Sequence, residues 1–230
     1  MLFPYEHPRW KEVMGAFIHP GGEELSLRLL SLCDFPRGAR ILDLGCGAGG
    51  TLGLLRRQGA NPLGVDRSES MLEQASLRGR VMPGEAEKLP LEDAILDGGI
   101  CECVLSQQSE PLRVIREVKR VLKEGSLFGV TDLFSLSNHE GKTSYGERKQ
   151  NALSCVQGAP SRKEMEHIFT DQDFVLLHFE DHSRFLREYA ARLVWEGLLE
   201  GPGKTCFSKP LGYGLWIWEK RTFSEKPPWR

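Results

Sequence analysis

Residues 41–50, ILDLGCGAGG, constrain this chain more than any other stretch. The run ILDL has the length and apolar character of an inner strand, and the glycines after it remove side chains where strand turns into helix. A turn of that kind lets a ligand lie directly against backbone at the carboxyl end of a parallel strand. Two readings compete. From Gly45 the stretch spells G-x-G-x-x-G, the dinucleotide fingerprint, whereas from Asp43 it spells D-x-G-x-G. The glycines alone do not choose between them. A carboxylate two residues before the first glycine repels a pyrophosphate and attracts an ammonium group, directly or through water.

The flanking segments alternate. A helix in GGEELSLRLLSLC, with Leu25, Leu29, Leu32 and Cys33 at helical spacing, is closed by the turn residues 34–38. Strand ARILDL, helix TLGLLRRQG closed by Gly59, strand PLGVD and helix SESMLEQASLRG follow, the last opening on an N-capping serine. Then come strands RVMPG and DGGICECVLS, an amphipathic helix SEPLRVIREVKRVLKEG ending at Gly125, and strand SLFGVTDLF. This order predicts an α/β fold, a parallel sheet with helices on both faces. Residues 135–160 turn polar, small and glycine-containing, the composition of a lid over one end of the sheet. Beyond it lie a capped helix SRKEMEHIFTDQ, strand DFVLLHFEDH, helix SRFLREYAARLVWEGLLE and a last strand LGYGLWIWEKR. At 230 residues the expectation is a single domain over 1–221, with 222–230 as a frayed tail.

Composition narrows the partners. A formal net charge of −2 supplies no electrostatic footprint for nucleic acid or an anionic membrane. The first twenty residues lack the basic start and apolar run of a signal peptide, and no apolar stretch approaches the ~20 residues of a spanning helix. A cytoplasmic protein is therefore expected. The six cysteines show no C-x-x-C spacing, so neither a zinc site nor a disulfide framework is suggested.

Two further carboxylates accompany Asp43. Asp66 ends the second strand 19 residues after Gly47, where a carboxylate can accept both hydroxyls of a ribose. Glu85, in GEAEKLP just after the third strand, lies within reach of an adenine amino group. With these pieces the chain resembles the class I S-adenosylmethionine-dependent methyltransferases of the type 11 group. The resemblance rests on ILDLGCGAGG, GVDRSESMLEQA, GEAEKLPLEDAILDGGICECVL and REVKRVLKEGSLFGVTD, and covers residues 22–133. It implies a Rossmann-like seven-stranded, mostly parallel sheet in the order 3-2-1-4-5-7-6 with its last strand antiparallel. It also implies S-adenosylmethionine as cofactor, S-adenosylhomocysteine as product and a small-molecule methyl acceptor, in a monomer or homodimer. By resemblance Asp43, Gly45, Cys46 and Gly47 line the methionine and ribose portion, Asp66 takes the ribose hydroxyls with Arg67 and Met71 beside it, and Glu85 with Ala86 meets the adenine. Cys101, at the end of the fourth strand, faces the cofactor near its methyl group. The family usually has Asp where Glu85 stands. Between the sixth and seventh strands this chain also carries a helix-length insertion, 182–208, whose aromatic stripe of Phe185 and Tyr189 points to packing as its role.

Methyl transfer from a sulfonium is an in-line displacement that draws on alignment and desolvation and needs no conspicuous catalytic group. Candidates for a base are Glu102, an acid inside the apolar strand GICECVL, and Tyr145 in the lid, which also holds His139. Glu102 is expected either at the cleft rim or outward against a basic side chain. Cys101 and Cys103, at i and i+2, are expected on one face of their strand. Ser106, Gln107 and Cys155 are candidate acceptor contacts. A faint likeness of SCVQGAPSRKEMEHIF to arsenite methyltransferases raises a thiophilic acceptor held by Cys155, Cys206 and a strand-four thiol. The rival readings are a module that keeps the cofactor pocket without catalysis, and an NAD-dependent oxidoreductase, against which Asp43, Glu85 and the lack of a Tyr-Lys pair argue.

Overall fold

A computed structural model describes residues 8–136, 159–198 and 210–221. Its centre is β1 (Arg40–Leu44), four of whose five residues are buried. A strand apolar on both faces must be covered on both sides, and this one is flanked in parallel by β2 (Asn61–Asp66) and β4 (Leu96–Glu102). Outside them lie β3 (Arg80–Pro83), parallel to β2, and β5 (Leu122–Ser135), parallel to β4. The sheet finishes with β7 (Leu211–Lys220), antiparallel to both β5 and β6 (Phe174–Asp181). The seven strands run β3-β2-β1-β4-β5-β7-β6. The order reverses between β1 and β4, so the carboxyl ends of β1, β2 and β4 open onto one crevice, where open α/β sheets bind their ligands.

Two apolar layers sandwich the sheet. On one face α5 (Pro111–Val121) and α6 (Arg162–Thr170) pack over Leu42, Leu44, Phe128, Val130 and Trp218. Val114, Ile115, Val118 and Val121 of α5 are all fully buried, each contributing about 1.5–3 kcal/mol relative to exposure. A capping box starts α6: Ser161 Oγ accepts from the Glu164 amide at 3.2 Å, and Glu164 accepts from the Ser161 amide at 2.7 Å. On the other face α2 (Gly22–Cys33), α3 (Gly50–Arg57) and α7 (Ser183–Trp195) cover Ile41, Ile100, Leu133, Tyr213 and Leu215. The short α4 (Glu69–Ala75) sits beside β2 and β3. No helix among the described residues is long and apolar enough to cross a membrane.

Two elements depart from the sequence reading. The irregular start contains a helix, α1 (Pro8–Met14), set against α7, with Trp10 and Tyr189 6.5 Å apart and tilted. The insertion helix therefore has a packing role, burying Leu186 and Leu193 below and meeting α1 beside them. Helix α5 stops at Val121, not at Gly125, because Leu122 is already extended and pairs with Leu96. Gly125, at φ +73°, lies within β5. The expected 135–160 lid lies almost wholly outside the described residues.

Candidate cofactor and active site

The crevice is built from the turn after β1. The Val65 carbonyl on β2 accepts from both the Gly45 amide at 2.7 Å and the Cys46 amide at 3.2 Å, tying the turn to the neighbouring strand. Gly45 and Gly47 both have positive φ, +69° and +50°, but for different surroundings. A Cβ on Gly45 would come within 2.3 Å of Val104 Cγ2, so Val104 packs against its bare Cα. A Cβ on Gly47 would meet nothing within 4 Å, leaving that stretch of backbone open to a ligand.

Asp66 holds the turn from the side. One oxygen accepts from the Gly47 amide and the other from the Ser68 amide, each at 2.9 Å, so the carboxylate stands rigid at the end of β2. Ser68 sits at the N-cap of α4, but its hydroxyl makes no capping bond and approaches Ser70 Oγ at 3.2 Å instead. Arg67 is exposed, and Met71 is 1% exposed within the packing of α4. Glu85 is exposed in the turn after β3, where its carbonyl accepts from the Lys88 amide at 3.1 Å, while Ala86 is buried.

Beneath the turn the charges become unusual. Asp43 is 3% exposed, and its Oδ2 has no partner among the described residues. Burial, then the nearby carboxylates of Glu102 and Asp66, push its carboxyl well above the ordinary range, against a hydrogen bond from the Leu52 amide. Burial also raises the Cys46 and Cys101 thiols, so neither is a ready thiolate. No group of three or more His, Cys, Asp or Glu among the described residues is placed to hold a metal ion.

A family profile for a methyltransferase domain matches residues 42–130, the span from β1 into β5. An uncharacterized methyltransferase of Synechocystis is 33% identical over 130 residues, 54% of this chain and 61% of the relative. One of Bacillus subtilis is 32% identical over 122 residues, 50% of this chain and 48% of the relative. The matched span, residues 42–130, is a methyltransferase domain, and these relatives together support a class I S-adenosylmethionine-dependent methyltransferase. The chain spans about half to three fifths of the length of these relatives. Among solved structures the fold is shared by the [4+2]-cyclase SpnF, with TM-score 0.79 and 22% identity over 95% of this chain and 94% of the other. It is shared as well by phosphoethanolamine N-methyltransferase 2 of Haemonchus contortus in complex with S-adenosylmethionine, with TM-score 0.73 and 18% identity over 93% of this chain and 56% of the other.

Several side chains stand elsewhere than their sequence context suggests. Glu102 is neither at the rim nor facing outward. Its side chain is 7% exposed beneath α2 and α3, accepting from Ser26 Oγ at 2.9 Å and Thr51 Oγ1 at 2.5 Å, with His19 Nε2 at 3.6 Å. The face of β4 that carries Ile100 and Glu102 is the one roofed by those helices, so an acid there is forced into a polar pocket. Cys101 and Cys103 do not share a face. The strand ends at Glu102 and Cys103 takes φ +56°, so its thiol lies 3.1 Å from Tyr213 Oη, while the Cys101 thiol joins the opposite core with Leu42, Leu44 and Leu105. Ser106 is 1% exposed, its amide given to Asp132 Oδ2 at 3.0 Å and its Oγ buried without a partner among the described residues. Gln107 is exposed and donates to the Cys103 carbonyl. Tyr145, His139, Cys155 and Cys206 lie outside the described residues.

The sequence reading passed over five residues. Asp132 is fully buried; burial raises its carboxyl, and hydrogen bonds from Ser106 and from the Leu133 amide at 2.7 Å oppose that rise. Its signal was the same as that of Glu102, an acid inside an apolar strand. His19, Ser26, Thr51 and Tyr213 carried no such signal, because only packing brings them to β4 and β5.

Proposed function

We propose that this methyltransferase binds S-adenosylmethionine across the ends of β1, β2 and β4 and transfers its methyl group to a small molecule, leaving S-adenosylhomocysteine. The observation that carries the reading is Asp66, whose carboxylate is locked by two backbone amides at the lip of the open Gly47 turn. So held, it retains lone pairs for two ribose hydroxyls without moving. Asp43, Gly45, Cys46 and Gly47 would border the amino-acid and ribose portion, Arg67 and Met71 the far side of Asp66, and Glu85 with Ala86 the adenine. With the Cys101 thiol committed to the core, its backbone is what a ligand at the end of β4 would meet. The residues fit a cation with an ammonium: a buried oxygen of Asp43 lacks a partner, and the carboxyl groups of Glu102 and Asp66 lie near it.

When bound, the cofactor supplies an electrophilic methyl on a positive sulfonium. The chain's contribution is to orient and to exclude water. Asp66 fixes the ribose, Gly47 allows close approach, and Val104 closes the turn from below. Neither Glu102 nor Asp132 is presented as a base, since donors occupy both carboxylates. Catalysis therefore rests on alignment of an acceptor that arrives with a lone pair available. Solved structures of this fold include enzymes named for phosphoethanolamine and geranyl diphosphate, which favours a small polar acceptor over a macromolecule.

A second reading has one observation in its favour, that a fold neighbour is a [4+2]-cyclase. On that reading the chain keeps the cofactor and does other work. Calorimetry with S-adenosylmethionine, S-adenosylhomocysteine and NAD tests the cofactor, with binding of the first two expected; tight NAD binding and no response to the others would sink it. Labelled-methyl transfer into a metabolite extract then separates the readings, because binding without transfer to any component favours the second.

A further inference from the structure

Away from the crevice, on an outer face of α3, three arginines line a cleft of about 570 Å³. Thr51, Leu54 and Leu55 of α3 are turned to Glu102 and the core, whereas Gly50, Gly53 and Arg57, at i, i+3 and i+7, share another face. Arg56 joins them, Arg78 reaches in from the segment after α4, and Phe17 supplies an aromatic wall. None of Asp43, Gly47, Asp66 and Glu85 lines this space, so it is separate from the cofactor crevice. Among the described residues Glu23 is the single acid in its lining, against three cations in a chain of net charge −2.

The arginines are fixed in place but not neutralised. Arg78 spends Nη1 on two backbone carbonyls, those of Ala48 and Gln74, each at 3.1 Å. Its Nε–Nη2 edge is left over, a planar fork that matches two oxygens of a phosphate. Arg56 donates to the Arg78 carbonyl at 3.4 Å, fastening the end of α3 to the segment after α4. Among the described residues neither Arg56 nor Arg78 meets a carboxylate. Arg57 meets Glu23 at 3.2 Å, but both side chains are more than half exposed, and a pair of that kind yields readily to a competing anion. The last turn of a helix favours cations, which accounts for Arg56 and Arg57 and does not extend to Arg78.

Gly53 is an independent sign of a ligand. It lies inside α3 without a left-handed φ, and glycine weakens a helix interior relative to alanine. Packing does not call for it: an added Cβ would stand 3.8 Å from Arg57 Nη1 and from Cβ and Cδ of Arg78, an ordinary contact. At Gly50, by contrast, a Cβ would meet the Ala16 carbonyl and the Phe17 ring at 2.7 Å. The missing methyl at 53 leaves bare backbone beneath the side chains of Arg57 and Arg78, where a ligand can approach closely. We infer that this cleft is a site for a small phosphorylated metabolite, its phosphate gripped by Arg57 and Arg78 over Gly53 and its carbon body laid against Phe17. The volume suits a metabolite and exceeds what a bare ion fills. The inference stands independently of the cofactor reading.

Calorimetry and thermal melts of the full chain with inorganic phosphate, phenyl phosphate and malonate, at one ionic strength set by sodium chloride, provide the test. Phenyl phosphate should bind and raise the Tm, inorganic phosphate should bind more weakly for want of the contact with Phe17, and the dicarboxylate malonate more weakly than phenyl phosphate. Gly53→Ala should raise the Tm of the ligand-free protein and weaken phenyl phosphate about tenfold, a separation that a merely structural glycine would not produce. Arg78→Met should weaken it by about tenfold as well, whereas Glu23→Gln, which frees Arg57, should tighten it. No binding of phenyl phosphate, equal affinity for all three anions, or unchanged affinity in Gly53→Ala would overturn the inference. Displacement of phenyl phosphate by S-adenosylhomocysteine would overturn it too, by assigning the cleft to the cofactor. Should a variant fail to fold, the three anions on the unaltered chain still decide.

Discussion

Gly47→Ala separates what the glycine turn does for folding from what it does for a ligand. At φ +50° an alanine pays about 1 kcal/mol of backbone strain. Its Cβ meets no atom within 4 Å, so no packing cost is added. For a chain of this size that corresponds to a fall of about 2–4 °C in Tm. On the proposed placement the methyl group intrudes on the cofactor, and a displacement large enough to cost about 1.4 kcal/mol lowers affinity tenfold. Gly45→Ala is the control. It carries the same strain at φ +69° plus a 2.3 Å overlap with Val104 Cγ2, which overpacking raises by about 1–3 kcal/mol. Thermal melts and calorimetric titration with S-adenosylhomocysteine on both variants read the two effects. Gly47→Ala should lose little stability and at least tenfold in affinity, and Gly45→Ala should lose more stability. A Gly47→Ala protein that binds as tightly as the unaltered chain would refute the placement of the cofactor against this turn.

Other consequences are equally measurable. Asp43→Asn should raise the Tm of the ligand-free protein at neutral pH while weakening S-adenosylmethionine. The folded carboxyl is raised by burial, so the stability it contributes is present below the ordinary carboxylate range and lost as pH climbs through the raised value; a neutral amide escapes that loss. Glu180 works in the opposite sense. Arg28, then His178 and His182, hold its carboxyl down at about 2, so its contribution is present above about pH 4.5 and lost as pH falls toward 2. Glu180→Gln should cost about 1 kcal/mol at neutral pH after allowance for solvent screening, with its urea midpoint converging on that of the unaltered protein in acid. Ser161→Ala removes the capping box of α6 and should cost about 1 kcal/mol by the same denaturation assay, without changing cofactor affinity.

The elements that were legible in advance are those written in local pattern. Strand, glycine turn and helix at 40–57, the carboxylate that ends β2 and the capping box at Ser161 each depend on residues adjacent in the chain, and each is where the spacing puts it. Alternation alone sufficed for helices on both faces of the sheet. The strand order and the reversed β7 came from family resemblance, since periodicity carries no information about which strands become neighbours.

What remained hidden depended on distant partners. Glu102 reads as an acid in an apolar strand, and its fate was decided by α2 and α3, which bring Ser26 from 76 residues away and Thr51 from 51. Cys103 reads as the twin of Cys101, yet a left-handed turn of the backbone at the strand's end sends its thiol to Tyr213, 110 residues on. Periodicity holds only while the strand lasts, and strand ends are set by neighbouring segments. The cofactor class was therefore written in a short run of glycines and three carboxylates, whose meaning is local. Which acids stay buried, and what pairs with them, were settled only when the helices closed over the sheet, because burial and pairing belong to the folded chain as a whole.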